Sequence, residues 1–312
     1  MSHKYPAPKP VRLRATSIGK MGTHWLENLD SIVDDLAQQW QLTIDQTLGG
    51  GSESLVLSVT QTDHSRAILK IGMPTVCDTA NEAKILRLAN GRGYATLLDS
   101  SHEHNAMLLE HLGAPIAHLG KSTSDQINII CQTLKEAWIP LNNVHSLTTG
   151  AEKARWLATF IDETWHAMEK PCALATRNQA LAYCEARTAA FDPQNSVLVH
   201  GDAHEQNTLQ TLAKNSYKFV DPDGLFAEPA CDLAVPMRGW GAELLAGDAI
   251  ELGRARCEQI SALTGVEQRA IWQWGFMERV STGLVLIQIG MTALGREYLQ
   301  VADLWATSRL FD

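Results

Sequence analysis

Between residues 42 and 112 the apolar side chains come in short runs at strand spacing, and beyond residue 113 they recur mostly at helical spacing. That change of period predicts a chain of two parts, one built on a sheet and one on helices. Runs over 42–47, 54–60 and 66–71 are rich in Leu, Val, Ile and Thr. They are separated by Gly49-Gly50-Gly51-Ser52 and by Thr62-Asp63-His64-Ser65, so they predict an antiparallel meander. Asp78 is placed to cap a helix over 79–89, which ends at Asn90-Gly91-Arg92-Gly93; strand-like runs follow at 94–98 and 106–110. After Gly113-Ala114-Pro115 the pattern is helical to residue 190, is broken by a strand-like island over 196–220, and is helical again over 228–309. Ahead of the meander, Trp25, Leu29, Ile32, Val33, Leu36 and Trp40 mark an amphipathic helix. Residues 1–22 carry prolines, glycines and basic groups with too little apolar surface to pack, which predicts a loose arm. The expected organisation is therefore an arm over 1–22, a sheet-based part over 23–112 and a helical part over 113–312.

Composition removes several function classes. With 26 Lys and Arg against 35 Asp and Glu the formal net charge is −9, and there is no basic run to displace counterions from phosphates, so nucleic acid is excluded as a partner and cationic ligands are favoured. The late apolar stretch over 283–294 is shorter than the roughly 18–20 residues that span a bilayer and contains Gln288, so it reads as a buried helix and a membrane is excluded as a partner. The start lacks the apolar stretch of a secretory signal, which predicts a cytoplasmic location. Cys77, Cys131, Cys172, Cys184, Cys231 and Cys257 form no C-x-x-C pair and read as reduced, mostly buried thiols.

The residues able to carry chemistry fall in both parts. Val197-Leu-Val-His-Gly-Asp-Ala-His-Glu-Gln-Asn-Thr-Leu209 is an apolar strand feeding a polar loop that returns to a strand. Asp202 and Asn207 have the spacing that lets a carboxylate face a hydroxyl while an amide oxygen reaches a metal. Tyr217-Lys-Phe-Val-Asp-Pro-Asp-Gly-Leu225 ends a second strand in two carboxylates whose hard oxygens suit Mg²⁺; Asp221 is the favoured ligand, with Asp223 as the alternative ligand or a group facing substrate. In the first part, Gly49, Gly50, Gly51 and Ser52 allow backbone to approach phosphates, and Lys70 can hold them if Glu82 on the next helix orients it.

In this order the parts resemble the aminoglycoside phosphotransferase superfamily of kinase-like small-molecule kinases over about 42–300. The most specific segments are His200-Gly-Asp-Ala-His-Glu-Gln-Asn207 and Val220-Asp-Pro-Asp-Gly-Leu-Phe-Ala-Glu-Pro-Ala-Cys-Asp-Leu-Ala234. Residues 67–72, 81–87, 91–93, 108–112 and 228–234 are similar to the branch of streptomycin 6-phosphotransferases and hydroxyurea phosphotransferases. The resemblance implies a bilobal α+β kinase-like fold, with a small antiparallel-sheet lobe, a larger mostly helical lobe and ATP between them. It implies Asp202 as catalytic base, Asn207 and Asp221 as Mg²⁺ ligands, Lys70 as the phosphate lysine with Glu82 as its partner, and Glu110, His111 and Leu112 as the hinge whose backbone meets adenine. The implied acceptor is the hydroxyl of a small cationic aminocyclitol such as streptomycin. The chain departs from the family's commoner wording at Ala203 and at Glu205-Gln206, positions that bear on loop shape and substrate preference.

Asp223, Glu228 and Asp232 are further acids able to meet a cationic group, with Asp232 better read as a support of the catalytic loop. Trp240, Trp272, Trp274 and Trp305 could line a sugar pocket, but helical aromatics read first as core. Competing readings are a kinase of another metabolite (hydroxyurea, a choline-like compound, a sugar or an amino acid), a metallohydrolase using His200, Asp202 and His204, and an inactive nucleotide-binding scaffold.

Overall fold

The computed structural model of the chain describes residues 3–141, 147–214, 216–308 and 310. It divides into two compact units, one of Met1–Gly113 with Gln210–Ser216 and the other of Ala114–Leu209 with Tyr217–Asp312.

In the first unit, β1 (Thr43–Leu48), β2 (Ser54–Thr60), β3 (Arg66–Gly72), β4 (Leu97–Ser101) and β5 (Ala106–Glu110) form one antiparallel sheet in the order β1-β2-β3-β5-β4. Side chains alternate between faces, and that alternation places the core. Leu55, Leu57 and Val59 of β2, Ala67, Leu69 and Ile71 of β3, and Ala106 and Leu108 of β5 share one buried face. Val11 and Ala15 of α1 (Lys9–Ser17) and Trp25, Leu29, Val33 and Leu36 of α2 (Lys20–Gln39) belong to the same cluster. Helix α3 (Thr79–Ala89) starts where expected, with the Asp78 carboxylate accepting from the backbone N–H groups of Ala80 and Asn81 at 3.0 and 3.2 Å.

The fold departs from two local expectations. Residues 9–17 are a helix with buried Val11 and Ala15 rather than part of a loose arm, and Asp30 accepts from the backbone N–H groups of Lys4 and Tyr5. The prolines that suggested disorder lie at the helix start, where a missing N–H costs nothing. The fourth strand runs over Leu97–Ser101 rather than 94–98: Tyr94 and Ala95 are apolar because they are buried ahead of it, and the strand itself is a polar edge with no alternation to read.

The second unit is mostly helical: α4 (Thr123–Ala137), α5 (Gly150–Ala167), α6 (Leu174–Ala189), α7 (Ala230–Arg238), α8 (Gly241–Leu245), α9 (Ala249–Thr264), α10 (Gln268–Gln288) and α11 (Thr292–Thr307). The strand island forms two ladders. β6 (Val197–Val199) pairs antiparallel with β9 (Leu225–Ala227), and β7 (Thr208–Gln210) lies beside β8 (Tyr217–Phe219). Helix α10 is buried all round from Ala270 to Val280. Trp272 and Trp305 meet with ring centroids 4.6 Å apart, and the Trp305 indole N–H donates to the Ala249 carbonyl, so these tryptophans are core. The single buried helix expected over 283–294 is not formed. Helix α10 stops at Gln288, α11 begins at Thr292, and Ile289 and Met291 between them are 64% and 49% exposed.

All six cysteines are free, and burial pushes the thiols of Cys131, Cys172, Cys184 and Cys257 up to about 12. Among the described residues no helix is long and apolar enough to cross a membrane.

Candidate active site

The alternation that buries Leu69 and Ile71 turns Lys70 to the opposite face of β3. There its ammonium donates to the Glu82 carboxylate of α3 at 2.6 Å, and both side chains are less than a tenth exposed. A buried Lys–Glu pair of this kind holds the ammonium in one place. The turn of Gly49, Gly50, Gly51 and Ser52 between β1 and β2 is exposed, and Gly50 has φ +125°, a conformation side-chain-bearing residues rarely adopt. At the end of β5 the Glu110 carboxylate accepts from the Thr96 N–H and hydroxyl at 2.8 and 3.1 Å, and the Glu110 N–H donates to the Thr96 carbonyl at 2.9 Å. His111 is held below the usual imidazole value, first by burial and then by Arg66, and Leu112 is buried.

In the second unit the loop after β6 is gripped through its backbone. Asp232, in the first turn of α7 and wholly buried, accepts from the His200 N–H at 2.9 Å and the Gly201 N–H at 2.7 Å, and from the Trp138 indole at 3.0 Å. The support expected of Asp232 is thus present. The His200 ring ties this loop to the segment after β8: Nδ1 accepts from the Asp202 N–H at 3.1 Å, which leaves the proton on Nε2 to donate to the Val220 carbonyl at 2.9 Å. Gly201 has φ +91°, and a Cβ there would lie 2.8 Å from the Cβ of Asp223, so only glycine lets the two loops approach and bring Asp223 beside Asp202.

Asp202 is one-third exposed and meets two basic side chains: Arg238, at the end of α7, donates Nη2–H to Oδ1, and His204 Nε2 lies 3.3 Å from Oδ2. Burial by itself would raise the Asp202 carboxyl, but the His204 contact and the Arg238 guanidinium outweigh it and hold the carboxyl well below the usual carboxylate range. Asp223 goes the other way. Crowding by protein and then the charge of Asp202 push it above the usual value, although its carboxylate keeps an open side to solvent. Asn207 and Asp221 are neighbours: the Val220 N–H donates to the Asn207 carbonyl at 3.0 Å, so the start of β7 and the end of β8 carry them side by side. The Asn207 amide donates to the Asp202 carbonyl at 3.1 Å, and Asp221 is exposed with φ +57°, a left-handed conformation that a non-glycine residue holds at a cost.

Burial lowers the His204 imidazole value, but Asp202 more than compensates, and the net direction is upward. A raised histidine stabilises the fold fully below its unfolded value and loses that contribution as pH climbs through the folded value. His204→Ala is therefore expected to have a lower melting temperature than wild type near pH 6, by at most about 1 kcal/mol or roughly 2–4 °C, and the gap should close toward pH 9. Paired thermal melts across pH check it, and a gap that widens with pH contradicts it.

Some expected partners are engaged elsewhere. Glu228 lies 3.3 Å from Arg187 and accepts from the Trp274 indole at 2.9 Å, which makes it a packing acid. Both His200 nitrogens are engaged, Nδ1 by the Asp202 N–H and Nε2 by the Val220 carbonyl, so His200 does not offer a free nitrogen to the His200/Asp202/His204 hydrolase reading. Sequence reasoning passed over Arg238, Glu278 and Lys153. Arg238 Nη1–H donates to Glu278 Oε2 at 2.9 Å, and Lys153 Nζ lies 2.7 Å from Glu278 Oε1. At Glu278 the signal was an acid, beside Arg279, in a mostly apolar helical window over Trp272–Leu284.

Residues 39–288 match the family described as aminoglycoside/hydroxyurea antibiotic resistance kinase. The chain belongs to that family. It is a kinase, a phosphotransferase acting on a hydroxyl group of a small molecule, and it uses a nucleotide. It is 26% identical to a streptomycin 6-kinase of Streptomyces glaucescens over 290 residues, covering 92% of each protein. It is also 26% identical to a hydroxyurea phosphotransferase of Kitasatospora aureofaciens over 268 residues, 82% of this chain and 76% of the relative. The fold is that of kinase-like small-molecule kinases: a spectinomycin phosphotransferase determined with ADP and spectinomycin aligns with a TM-score of 0.56 at 12% identity, over 89% of this chain and 97% of the other.

Proposed function

We propose that this kinase transfers the γ-phosphoryl group of ATP to a hydroxyl of a cationic aminocyclitol such as streptomycin, with Asp202 as the residue that receives the hydroxyl proton. The observation that carries the reading is the placement of Asp202, fixed through its backbone neighbours by Asp232, through its carboxylate by Arg238, and flanked by Asp223. A carboxylate held so far down is a weak base. That suits phosphoryl transfer, whose loose transition state needs the acceptor hydroxyl aimed more than ionised.

Asn207 and Asp221 would hold Mg²⁺. They fit it: both offer hard oxygens, they are neighbours through the Val220–Asn207 bond, and Mg²⁺ completes its shell with waters and phosphate oxygens. When bound, the ion neutralises charge on the phosphates. Lys70, oriented by Glu82, holds the phosphates, Gly49, Gly50, Gly51 and Ser52 offer backbone N–H groups to them, and the backbone of Glu110, His111 and Leu112 meets adenine. Asp223 faces the acceptor, where a guanidinium or ammonium group would offset the repulsion from Asp202; Glu228, engaged with Arg187 and Trp274, is withdrawn from this role. Support for streptomycin itself comes from the full-length similarity to a streptomycin 6-kinase.

The test is ADP release with Mg-ATP across streptomycin, other aminoglycosides, hydroxyurea, choline and simple sugars. Streptomycin is expected to give a kcat/KM at least about tenfold above any other acceptor, equal to ~1.4 kcal/mol of differential transition-state binding. A higher value with choline or a sugar keeps the kinase and replaces the acceptor.

A further inference from the structure

Glu278 lies in the middle of α10, is 5% exposed, and sits between two cations from two other helices, Arg238 of α7 and Lys153 of α5. Burial raises its carboxyl, but Lys153 and Arg238 outweigh that, so it is ionised. Burying an ion triad is a poor way to gain stability, because desolvating three charges costs about what their attraction returns, and apolar residues of the same volume often do as well. The triad therefore calls for another explanation, and its geometry supplies one. Arginine's donors are fixed in one plane, so holding Nη1 sets the direction in which Nη2 points. Here Nη1–H meets Glu278 Oε2 and Nη2–H meets Asp202 Oδ1.

We propose that Glu278 is a positioning residue for phosphoryl transfer: by holding one arm of the Arg238 fork, with its own carboxylate steadied by Lys153, it aims the other arm and fixes the carboxylate of Asp202 toward the acceptor hydroxyl. The assignment rests on the proposed role of Asp202. It ties the loop carboxylate to three helices, whereas Asp232 holds only the backbone of the same loop.

Removing the Glu278 carboxylate alone would leave Arg238 and Lys153 facing each other with no anion between them, so the decisive variant is the charge-balanced double change Lys153→Met with Glu278→Leu. It leaves the Arg238–Asp202 pair intact in charge, and because leucine offers no acceptor, Nη1 is unheld. A misplacement of about 1 Å is enough to cost about 100-fold in rate, so kcat is expected to fall about 10- to 100-fold while KM for ATP stays within about twofold of wild type. The same double change made on Arg238→Met should alter kcat by less than about twofold, because no fork is left to aim; a purely structural role costs the same in both backgrounds. Loss of equal size in both backgrounds, or a double variant that keeps wild-type kcat, overturns the positioning role while leaving the kinase reading in place. A wild-type protein that phosphorylates no acceptor overturns the kinase reading and this assignment with it.

Discussion

Asp202→Asn is expected to lower kcat by about 10²–10⁴-fold, the range a positioned general base contributes, while leaving nucleotide affinity within about twofold. The substitution keeps the volume of the side chain and removes the negative charge, and with it the base, that Arg238 and His204 surround. The Lys70–Glu82 pair belongs to the other compact unit and should be untouched. Steady-state turnover with a saturating acceptor, paired with titration of a fluorescent ATP analogue, checks both halves. Turnover within about tenfold of wild type would show that the hydroxyl proton needs no carboxylate here. Loss of nucleotide binding would show that the substitution damages more than the acceptor side.

Asp232→Ala is expected to be the most destabilising single change in the site. Asp232 is wholly buried, and its two oxygens satisfy the His200 and Gly201 backbone N–H groups and the Trp138 indole. Truncation orphans three buried donors at about 1–3 kcal/mol each, partly relieved by relaxation and by removing a buried charge, so a loss of about 3–5 kcal/mol follows. For a chain of this size that corresponds to a melting point lower by roughly 10 °C or more. The loop that carries Asp202 loses its backbone grip at the same time, so kcat should fall even below the melting transition. Thermal melts and turnover at a temperature where the variant is folded measure the two effects, and a shift under about 2 °C would contradict the hydrogen-bond account.

The elements legible in the sequence were those whose pattern is local. The meander of β1 to β3 announced itself by strand runs between turn residues, α3 by its Asp78 cap, and Lys70 by its place in a strand followed by a helical Glu82. The Asp232 support was legible through the segment that contains it. What was not legible depends on contacts between distant residues. Arg238 and Lys153 lie 40 and 125 positions along the chain from Glu278, and nothing local says that the three charges meet. Glu228 was offered to a substrate cation because the partner it has, Arg187, lies on another helix. Helix α1 was missed because prolines at a helix start and prolines in a loose arm look alike until Val11 and Ala15 are seen in the core. The break between α10 and α11 was missed because apolar composition at Ile289 and Met291 does not reveal that they are exposed.

The proposed reaction runs through one carboxylate, and the most direct measurement is the mass of streptomycin after incubation with Mg-ATP and either the wild-type chain or Asp202→Asn. The expected result is streptomycin heavier by one phosphoryl group with the wild type and unmodified streptomycin with the variant over the same time. Equal phosphorylation by both proteins would contradict the role given to Asp202, and unmodified streptomycin with a wild type that phosphorylates a different acceptor would contradict the substrate.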